Sequence, residues 1–234
     1  MAVRKIIGRV EYKDNLAGQV WLTRLKFGEV MEFVPGQYVS VKVNDEGMRR
    51  SYSVASLPGK DYIDILIDVS PMGLGSKYFL GLNVGDEVEI LGFLGKFNVA
   101  TELSAEDQLL FIATGTGLAP VRPMIEEVLT GRKFMGKVIL VWGMRKETDL
   151  YWVEEMERLK RDYENFDFEL VLSQSTEEWP GNKGHVGDVV EKMELNWPKV
   201  KAYLCGAPEM IEDMNKRLSG FGVPNEGIVF ERYS

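Results

Sequence analysis

Residues 108–120, QLLFIATGTGLAP, decide the fold of the second half of this chain. Residues 108–113 form a continuous apolar run, which is typical of a parallel strand buried on both faces. A glycine turn follows at once, and residues 121–129 have helical spacing. Because backbone N–H groups at a helix N-terminus point at an anion, this order of elements predicts a phosphate-binding turn. Pro120 stands where the common G-x-G-x-x-G fingerprint has its third glycine, so the turn differs from that of the commonest dehydrogenases.

The alternation of strands and helices continues from this turn to the end of the sequence. Apolar runs predict strands at 137–143, 168–173, 201–206 and 227–231, and helical spacing predicts helices at 151–161, 186–193 and 208–218. Repeated strand–helix units imply a parallel sheet with right-handed crossovers. We therefore expect a Rossmann-like α/β nucleotide-binding domain over residues 101–234. Asp149 follows one of its strands, where ligands bind in such sheets.

Residues 1–100 have a different pattern, in which short strands are separated by turns. Alternation of period two predicts strands at 20–25, 37–43, 62–69 and 87–91, with turns at 35–36 and 57–60. Many short strands at regular spacing favour a small antiparallel β-barrel, which we expect to have six strands. One short helix interrupts it at 76–81, after a cap-like serine.

Residues 49–56, RRSYSVAS, alternate like a strand but offer little apolar surface to a core. Hydroxyls and a guanidinium beside an aromatic ring suit a ligand that is flat at one end and phosphorylated at the other. Residues 73–76, GLGS, bring glycines to a helix start, where backbone N–H groups can approach an anion. Together with Arg50 they are predicted to hold a diphosphate; a plain turn followed by an N-cap is the alternative for GLGS alone.

Composition removes several classes of function. A single cysteine and a single histidine leave no internal disulfide and no four-thiolate metal site, and we expect no metal. The formal charge of −8 argues against general nucleic-acid binding. The first residues show no secretory signal, and no apolar run approaches the roughly 20 residues that span a bilayer, so a cytoplasmic protein is expected. The oligomeric state is left open.

Four motifs in order resemble the ferredoxin–NADP reductase superfamily, and the resemblance covers nearly the whole chain. Residues 50–53, RSYS, match its flavin signature of arginine, any residue, tyrosine and serine, and residues 73–76 look like its second flavin stretch. Residues 115–120 resemble its pyridine-nucleotide turn, which also carries a proline. Residues 205–210, CGAPEM, resemble its cysteine-glycine-x-proline-x-methionine stretch. Residues 92–97 depart from the family pattern, because Phe93 replaces a proline.

The resemblance implies a role for each matching residue. In the barrel it implies FAD, with Arg50 on the diphosphate, Tyr52 against the isoalloxazine ring and Ser53 near flavin N5. Further FAD contacts are expected from Val54, Ile67, Val69, Gly73, Gly75 and Ser76. For the nucleotide it implies Thr116, Gly117, Pro120, Asp149, Gly206 and Pro208, with Cys205 beside the nicotinamide C4. Glu231 is expected close to Cys205, and Tyr233 over the far face of the flavin. The expected catalytic residues are Ser53, Cys205 and Glu231.

The implied activity is hydride transfer from NADH or NADPH to flavin N5, followed by electron transfer to a separate acceptor. Ferredoxin, an oxygenase component and free flavin are all open as acceptors, and the single cysteine excludes a fused ferredoxin domain within this sequence. Residues 173–175, SQS, lack the arginine that NADPH-specific members often place there, which favours NADH. Arg145 and Lys146 are nearby, but so is Asp149.

Other interpretations compete with this one. Tyr52 can be a core tyrosine, Cys205 a small buried hydrophobe and Tyr233 part of a frayed terminus. At the level of the whole chain, the alternative is a non-catalytic flavoprotein subunit that acts as a redox sensor or scaffold. An unrelated two-domain binding protein is a further alternative. The cysteine motif, the glycine turn and Glu231 favour catalysis, since a subunit without turnover needs no nicotinamide site.

Overall fold

The first of two six-stranded sheets is antiparallel and closes on itself. The computed structural model describes residues 3–233. The strands are β1 (Arg4–Ala17), β2 (Val20–Met31), β3 (Tyr38–Lys42), β4 (Arg49–Ser53), β5 (Lys60–Asp68) and β6 (Glu87–Leu94), in the spatial order β4-β3-β6-β1-β2-β5. Val54, directly after β4, forms an antiparallel bridge with Ile65 of β5. The two outer strands therefore meet, and the predicted six-stranded barrel is confirmed.

Alternating burial explains why these segments are strands. In β3, Val39 and Val41 point into the barrel and are fully buried, whereas the residues between them are half-buried. The same period of two continues in β1, which is 14 residues long and was not predicted as one strand. Register shifts between Val10 and Tyr12, and between Asn15 and Ala17, interrupt its pattern and hide its length in the sequence.

One helix, α1 (Leu74–Gly81), follows β5 and packs against the barrel core. Phe79 is its buried anchor, and the ring of Tyr52 meets it edge-on at 4.8 Å. At the C-terminal end of the helix, the Lys13 ammonium donates hydrogen bonds to the carbonyls of Leu80 and Leu82 at 2.7 and 2.9 Å. A cation at a helix C-terminus is favourable, so Lys13 fixes the direction in which α1 points.

The second sheet is entirely parallel. Its strands are β7 (Gln108–Thr114), β8 (Val138–Met144), β9 (Phe166–Leu172), β10 (Asn182–Lys183), β11 (Val200–Gly206) and β12 (Ile228–Arg232), in the order β10-β9-β8-β7-β11-β12. The helices are α2 (Leu118–Glu126), α3 (Val153–Asp162), α4 (Val186–Val190) and α5 (Pro208–Phe221). The chain moves outward from β7 to β10 and then returns to place β11 beside β7. Ligands bind in open α/β sheets at such a reversal, at the carboxyl ends of the strands.

The predicted elements of the second half are all present, with shifted ends. The first helix starts at Leu118 and not at residue 121, and it runs on into a π turn at Glu127–Gly131. The helix predicted at 186–193 ends at Val190. The two-residue strand β10 was not predicted, because a segment that short carries no detectable period.

One of the buried apolar clusters contains residues of both sheets. Val20, Leu22 and Leu66 of the barrel belong to the same buried cluster as Leu118 and Val121 of α2. The predicted boundary at residue 100 falls in the segment between β6 and β7. That segment is held at Ala100, whose N–H donates to the Tyr203 hydroxyl at 3.1 Å and whose carbonyl accepts from Arg132 at 2.6 Å.

Candidate functional site

A hydrogen-bonded junction joins the end of β4 to the end of β12. Ser53 Oγ donates to Glu231 Oε2 at 2.8 Å, and the Tyr233 hydroxyl donates to Ser53 Oγ at 3.1 Å. The same hydroxyl lies 3.4 Å from the Thr116 carbonyl oxygen, and the Tyr233 N–H donates to the Gly206 carbonyl at 3.1 Å. Five of the predicted site residues therefore meet here, although they come from both halves of the chain.

Cys205 lies beside this junction at the end of β11. The parallel register pairs it with Glu231 on one side and with Ala113 on the other. Its thiol is fully buried, and burial raises its pKa well above the usual range; the charge of Glu231 adds to the rise, and Tyr233 opposes it. The thiol therefore stays protonated, and it is a compact neutral group rather than a thiolate nucleophile.

Burial also raises the pKa values of Glu231 and Tyr233. Burial raises the pKa of Glu231, and the hydrogen bond from Ser53 opposes the rise. Burial of the Tyr233 hydroxyl raises its pKa well above the ordinary value, so it remains a donor. The junction thus contains one carboxyl group that can hold a proton, two hydroxyls and one thiol. This set can orient and exchange a proton with a polar ring.

Successive side chains of β4 point to opposite faces, so Arg49 and Arg50 lie on different sides of the strand. Arg49 forms an ion pair with Glu89 at 2.8 Å and is held on one face. Arg50 is exposed on the other face with Tyr52, and its side chain donates to the Arg49 carbonyl at 2.8 Å. Among residues 3–233, no carboxylate lies within ion-pair distance of Arg50. Its charge is therefore available to an anionic ligand.

The start of α1 packs directly against Arg50 and Tyr52. A Cβ atom on Gly75 would lie 2.0 Å from the Tyr52 hydroxyl and 3.4 Å from Arg50 Cγ, so only glycine fits there. Gly73 is the N-cap and provides no capping side chain, and the first N–H groups of a helix have no partner within it. These donors and the guanidinium form a cradle that fits a diphosphate. Ser76, which is also on α1, donates through its Oγ to the carbonyl of Asp68 at the end of β5, at 3.4 Å.

Tyr52 is half-buried, so one part of its ring packs on Phe79 and the rest is open. Burial raises its pKa to about 12, and the nearby Arg50 opposes the rise. Val54, Ile67 and Val69, which are also predicted FAD contacts, have side chains buried in the barrel core. Any contact from these three would come from the main chain, and all three stay predictions.

A cleft of about 640 Å³ opens between the barrel and the carboxyl ends of β7, β8 and β11. Residues predicted from the sequence line it, namely Thr116, Asp149, Gly206 and Tyr233. A Cβ atom on Gly117 would lie 2.2 Å from the Cys205 carbonyl, so the turns after β7 and β11 touch at the floor of the cleft. Both predicted prolines start helices: Pro208 is the first residue of α5, and Pro120 is buried in the first turn of α2.

Asp149 connects the cleft to the barrel. Its Oδ2 accepts from the Lys146 N–H at 3.2 Å and closes a short 3₁₀ turn. Its Oδ1 lies against Gly18, in the turn between β1 and β2. The carboxylate is therefore part of the cleft wall at the contact between the domains.

Sequence reasoning missed a second set of cleft residues. From the barrel these are Gln19, Val20, Asp68 and Ser70, and from the second half of the chain Met144, His185, Val186 and Asp213. Arg145, and Glu209 and Met210 of the CGAPEM stretch, also line the cleft and had been noted in the sequence. His185, the single histidine, is exposed and directly precedes α4 at the rim of the cleft. The position of α4 and α5 directly after parallel strands was a usable signal for their residues. No sequence signal marked the barrel residues.

The part of the chain that the structure describes shows neither a metal site nor a membrane-spanning helix. Within residues 3–233, no three His, Cys, Asp or Glu side chains are grouped to hold a metal ion. In the same range, no helix combines the length and the apolar character needed to cross a membrane.

Each half of the chain matches a known family of protein domains. A family described as the oxidoreductase FAD-binding domain matches residues 8–99, and one described as the oxidoreductase NAD-binding domain matches residues 111–216. The first match contains the β4–α1 cradle, and the second contains the glycine turn and the Cys205 motif.

Individual proteins resemble the chain over most of its length. The electron transfer component of toluate 1,2-dioxygenase from Pseudomonas putida is 30% identical, over 87% of this chain and 60% of that protein. A ferredoxin–NAD(P)(+) reductase component of naphthalene 1,2-dioxygenase/salicylate 5-hydroxylase systems from Ralstonia sp is 32% identical, over 94% of this chain and 66% of that protein. The crystal structure of Amycolatopsis cytochrome P450 reductase GcoB superposes with a TM-score of 0.92 at 27% identity, over 98% of this chain and 70% of that chain. The chain thus spans less than two thirds of the length of either curated relative.

Proposed function

Because the chain belongs to the ferredoxin–NADP reductase superfamily, we propose that it moves electrons from NAD(P)H through FAD to a separate acceptor. Bound FAD would supply the chemistry, since a flavin accepts a hydride and releases electrons singly. The observation that carries the proposal is the junction of Ser53 with Glu231 and Tyr233. It joins the β4–α1 cradle to the nucleotide cleft.

The barrel residues fit FAD. Arg50 and the N–H groups at the start of α1 would hold the diphosphate, and the open part of the Tyr52 ring would pack on the flavin. Gly75 supports this assignment, because its lack of a side chain lets the helix start approach Tyr52 and Arg50. Ser53 would then stand at the side of the flavin that faces the cleft.

At the junction, the chain would provide orientation and proton control. Ser53, Glu231 and Tyr233 are linked by hydrogen bonds of 2.8 and 3.1 Å, so each fixes the position of the next. Cys205 fills the space beside Glu231 without charge. Correct alignment of two reacting groups can supply a large part of a barrier reduction, and these side chains are placed to provide it.

The charges around the cleft favour NADH over NADPH. Among residues 3–233, four carboxylates line it, those of Asp68, Asp149, Glu209 and Asp213, against one guanidinium, that of Arg145. Asp213 shares its charge with Arg217, to which it is paired at 2.9 Å. A 2′-phosphate would bring nearly two further negative charges into this surface, which a free ribose does not.

We propose a separate redox protein as the electron acceptor. The two curated relatives are named as a dioxygenase electron transfer component and as a ferredoxin–NAD(P)(+) reductase component. The single cysteine of the chain cannot ligate an iron–sulfur cluster alone. A separate iron–sulfur protein or an oxygenase component therefore fits as the acceptor, with free flavin as a small-molecule alternative.

Anaerobic flavin reduction tests the proposal. The purified protein is expected to be yellow, to release FAD on denaturation, and to bleach near 450 nm on mixing with NADH faster than with NADPH. Bleaching by neither nucleotide would favour the flavoprotein without turnover. A colourless protein that does not bind added FAD would refute the whole assignment.

The two neighbouring arginines of β4, Arg49 and Arg50, offer a matched test of the FAD site. We expect Arg50→Gln to weaken FAD binding at least about tenfold, because it removes a charged hydrogen-bond donor from the cradle. Arg49→Gln changes the same residue type one position earlier but on the opposite face, where Arg49 is paired with Glu89. It should leave FAD affinity within about twofold. Equal losses in both variants would place the diphosphate elsewhere.

A further inference from the structure

Two buried side chains converge on the carbonyl oxygen of Gly115, in the turn between β7 and α2. The Tyr151 hydroxyl donates to it at 2.8 Å and Trp142 Nε1 at 3.2 Å. The Leu118 N–H also points at this oxygen, as part of the 3₁₀ turn that starts the helix. One carbonyl with three donors is strongly fixed in direction.

The two side chains are themselves held in place. Tyr151 meets Trp142 edge-on at 5.0 Å and Trp152 edge-on at 5.3 Å, and both Trp142 and Tyr151 are buried. Burial raises the pKa of Tyr151 well above its ordinary value, so its hydroxyl keeps the proton it donates. Neither side chain lines the cleft, so neither is available to contact a ligand directly.

The direction of this carbonyl sets the direction of the next amide. In a trans peptide, the C=O of one residue and the N–H of the next point to opposite sides of the bond. Since the Gly115 carbonyl points inward at Tyr151 and Trp142, the Thr116 N–H points away from them, on the side where Thr116 lines the cleft. Gly115 has a φ of +54°, which glycine adopts without strain.

We propose that Tyr151 and Trp142 are positioning residues that aim the Thr116 N–H at the diphosphate of the nucleotide substrate. This inference rests on the proposed function, because it assumes that a dinucleotide occupies the cleft. It assigns a role to two buried aromatic residues that do not line the cleft.

ADP-ribose and AMP are suitable probes for the FAD-loaded protein, because ADP-ribose carries a diphosphate and AMP does not. We expect Tyr151→Phe to weaken ADP-ribose binding about fivefold in calorimetry, the effect of one lost hydrogen bond, and AMP binding less than twofold. In ¹H–¹⁵N spectra, the Thr116 amide should shift on ADP-ribose addition, and this shift should shrink in the variant. In steady-state reduction, KM for NADH should rise while kcat changes little.

Tyr203→Phe is the matched control. It removes another buried tyrosine hydroxyl with a main-chain partner, the Ala100 N–H, away from the cleft lining. It should bind ADP-ribose like the wild type. If Tyr151→Phe does not fold, Trp142→Phe removes the second donor to the same carbonyl and should show the same loss.

The outcomes separate this inference from the proposed function. Wild-type protein that neither binds ADP-ribose nor is bleached by NADH refutes both. Wild-type binding with an unchanged Tyr151→Phe, or equal losses for ADP-ribose and AMP, refutes only the positioning role. Selective loss of ADP-ribose affinity with a diminished Thr116 shift supports it.

Discussion

Replacing Gly75 by alanine tests the β4–α1 cradle most directly. Gly75 is the second residue of α1, and a methyl group there would lie 2.0 Å from the Tyr52 hydroxyl. Ordinary contact between such atoms needs about 3.4 Å, so the ring or the helix start must move by roughly 1.4 Å. Because Tyr52 also packs on Phe79 at 4.8 Å, this movement disturbs the core as well as the cradle.

Two opposing contributions set the size of the effect on stability. Overpacking of this kind costs about 1–3 kcal/mol, whereas alanine is favoured over glycine within a helix by about 1 kcal/mol. The apoprotein is therefore expected to lose between about 0 and 2 kcal/mol of its free energy of unfolding. FAD binding should suffer more, since the added methyl group displaces either the Tyr52 ring, which would pack on the flavin, or the helix start, which would hold the diphosphate. We expect FAD binding to weaken at least about tenfold.

The assay is a titration of each apoprotein with FAD, in which the quenching of flavin fluorescence reports binding. Urea unfolding of each apoprotein measures its stability. Gly81→Ala is the matched control, because Gly81 ends the same helix and its added methyl meets nothing within 4 Å. The control should keep wild-type FAD affinity, and its free energy of unfolding should equal that of the wild type or exceed it by up to about 1 kcal/mol. If folded Gly75→Ala binds FAD as tightly as Gly81→Ala does, the close approach of α1 to Tyr52 has no part in binding.

Three further substitutions have defined outcomes. Cys205→Ala should keep its FAD content but slow anaerobic bleaching by NADH at least about tenfold, since it removes the group that we propose lies beside the nicotinamide. Loss of FAD would contradict that placement of Cys205. Glu231→Gln should gain stability relative to the wild type as pH rises. The pKa of Glu231 is raised above its ordinary value of 4.5, so ionising this carboxyl group costs more free energy in the folded chain than in the unfolded one. Urea unfolding of both proteins at pH 4 and pH 8 measures this, and a pH-independent difference contradicts it. Asp64→Asn should lower the free energy of unfolding by about 2 kcal/mol, because the buried carboxylate accepts hydrogen bonds of 2.7 and 2.9 Å from Arg24; urea unfolding within about 0.5 kcal/mol of the wild type would contradict it.

The strands and helices were predictable where a period was regular and long enough. The run at 108–113 gave β7 within one residue, because a central parallel strand is apolar throughout. β1 was missed as one strand because two register shifts break its alternation. β10 was missed because it is formed by pairing with β9 and not by any preference of Asn182 and Lys183.

The site was predictable only where it is made of short local motifs. Arg50, Tyr52 and Ser53 are neighbours in sequence, and their chemistry is visible there. The junction partners of Ser53 are 178 and 180 residues away, so they came from the family resemblance and not from any local pattern. Tyr151 shows the same limit, because its hydroxyl reaches a carbonyl 36 residues earlier. Such contacts depend on how β7 and β8 pair, which the residues near Tyr151 do not encode.

The interface between the domains explains how distant residues can form one precise junction. Domains joined by a small polar interface are expected to move relative to one another, whereas a large apolar interface holds them together. Here Val20, Leu22 and Leu66 of the barrel share a buried cluster with α2, the helix that begins at the nucleotide turn. The distance from Ser53 to Thr116 and Tyr233 is therefore set by core packing. It follows that the alignment of the two cofactor sites is a property of the apolar interface, and the polar side chains at the junction only refine it.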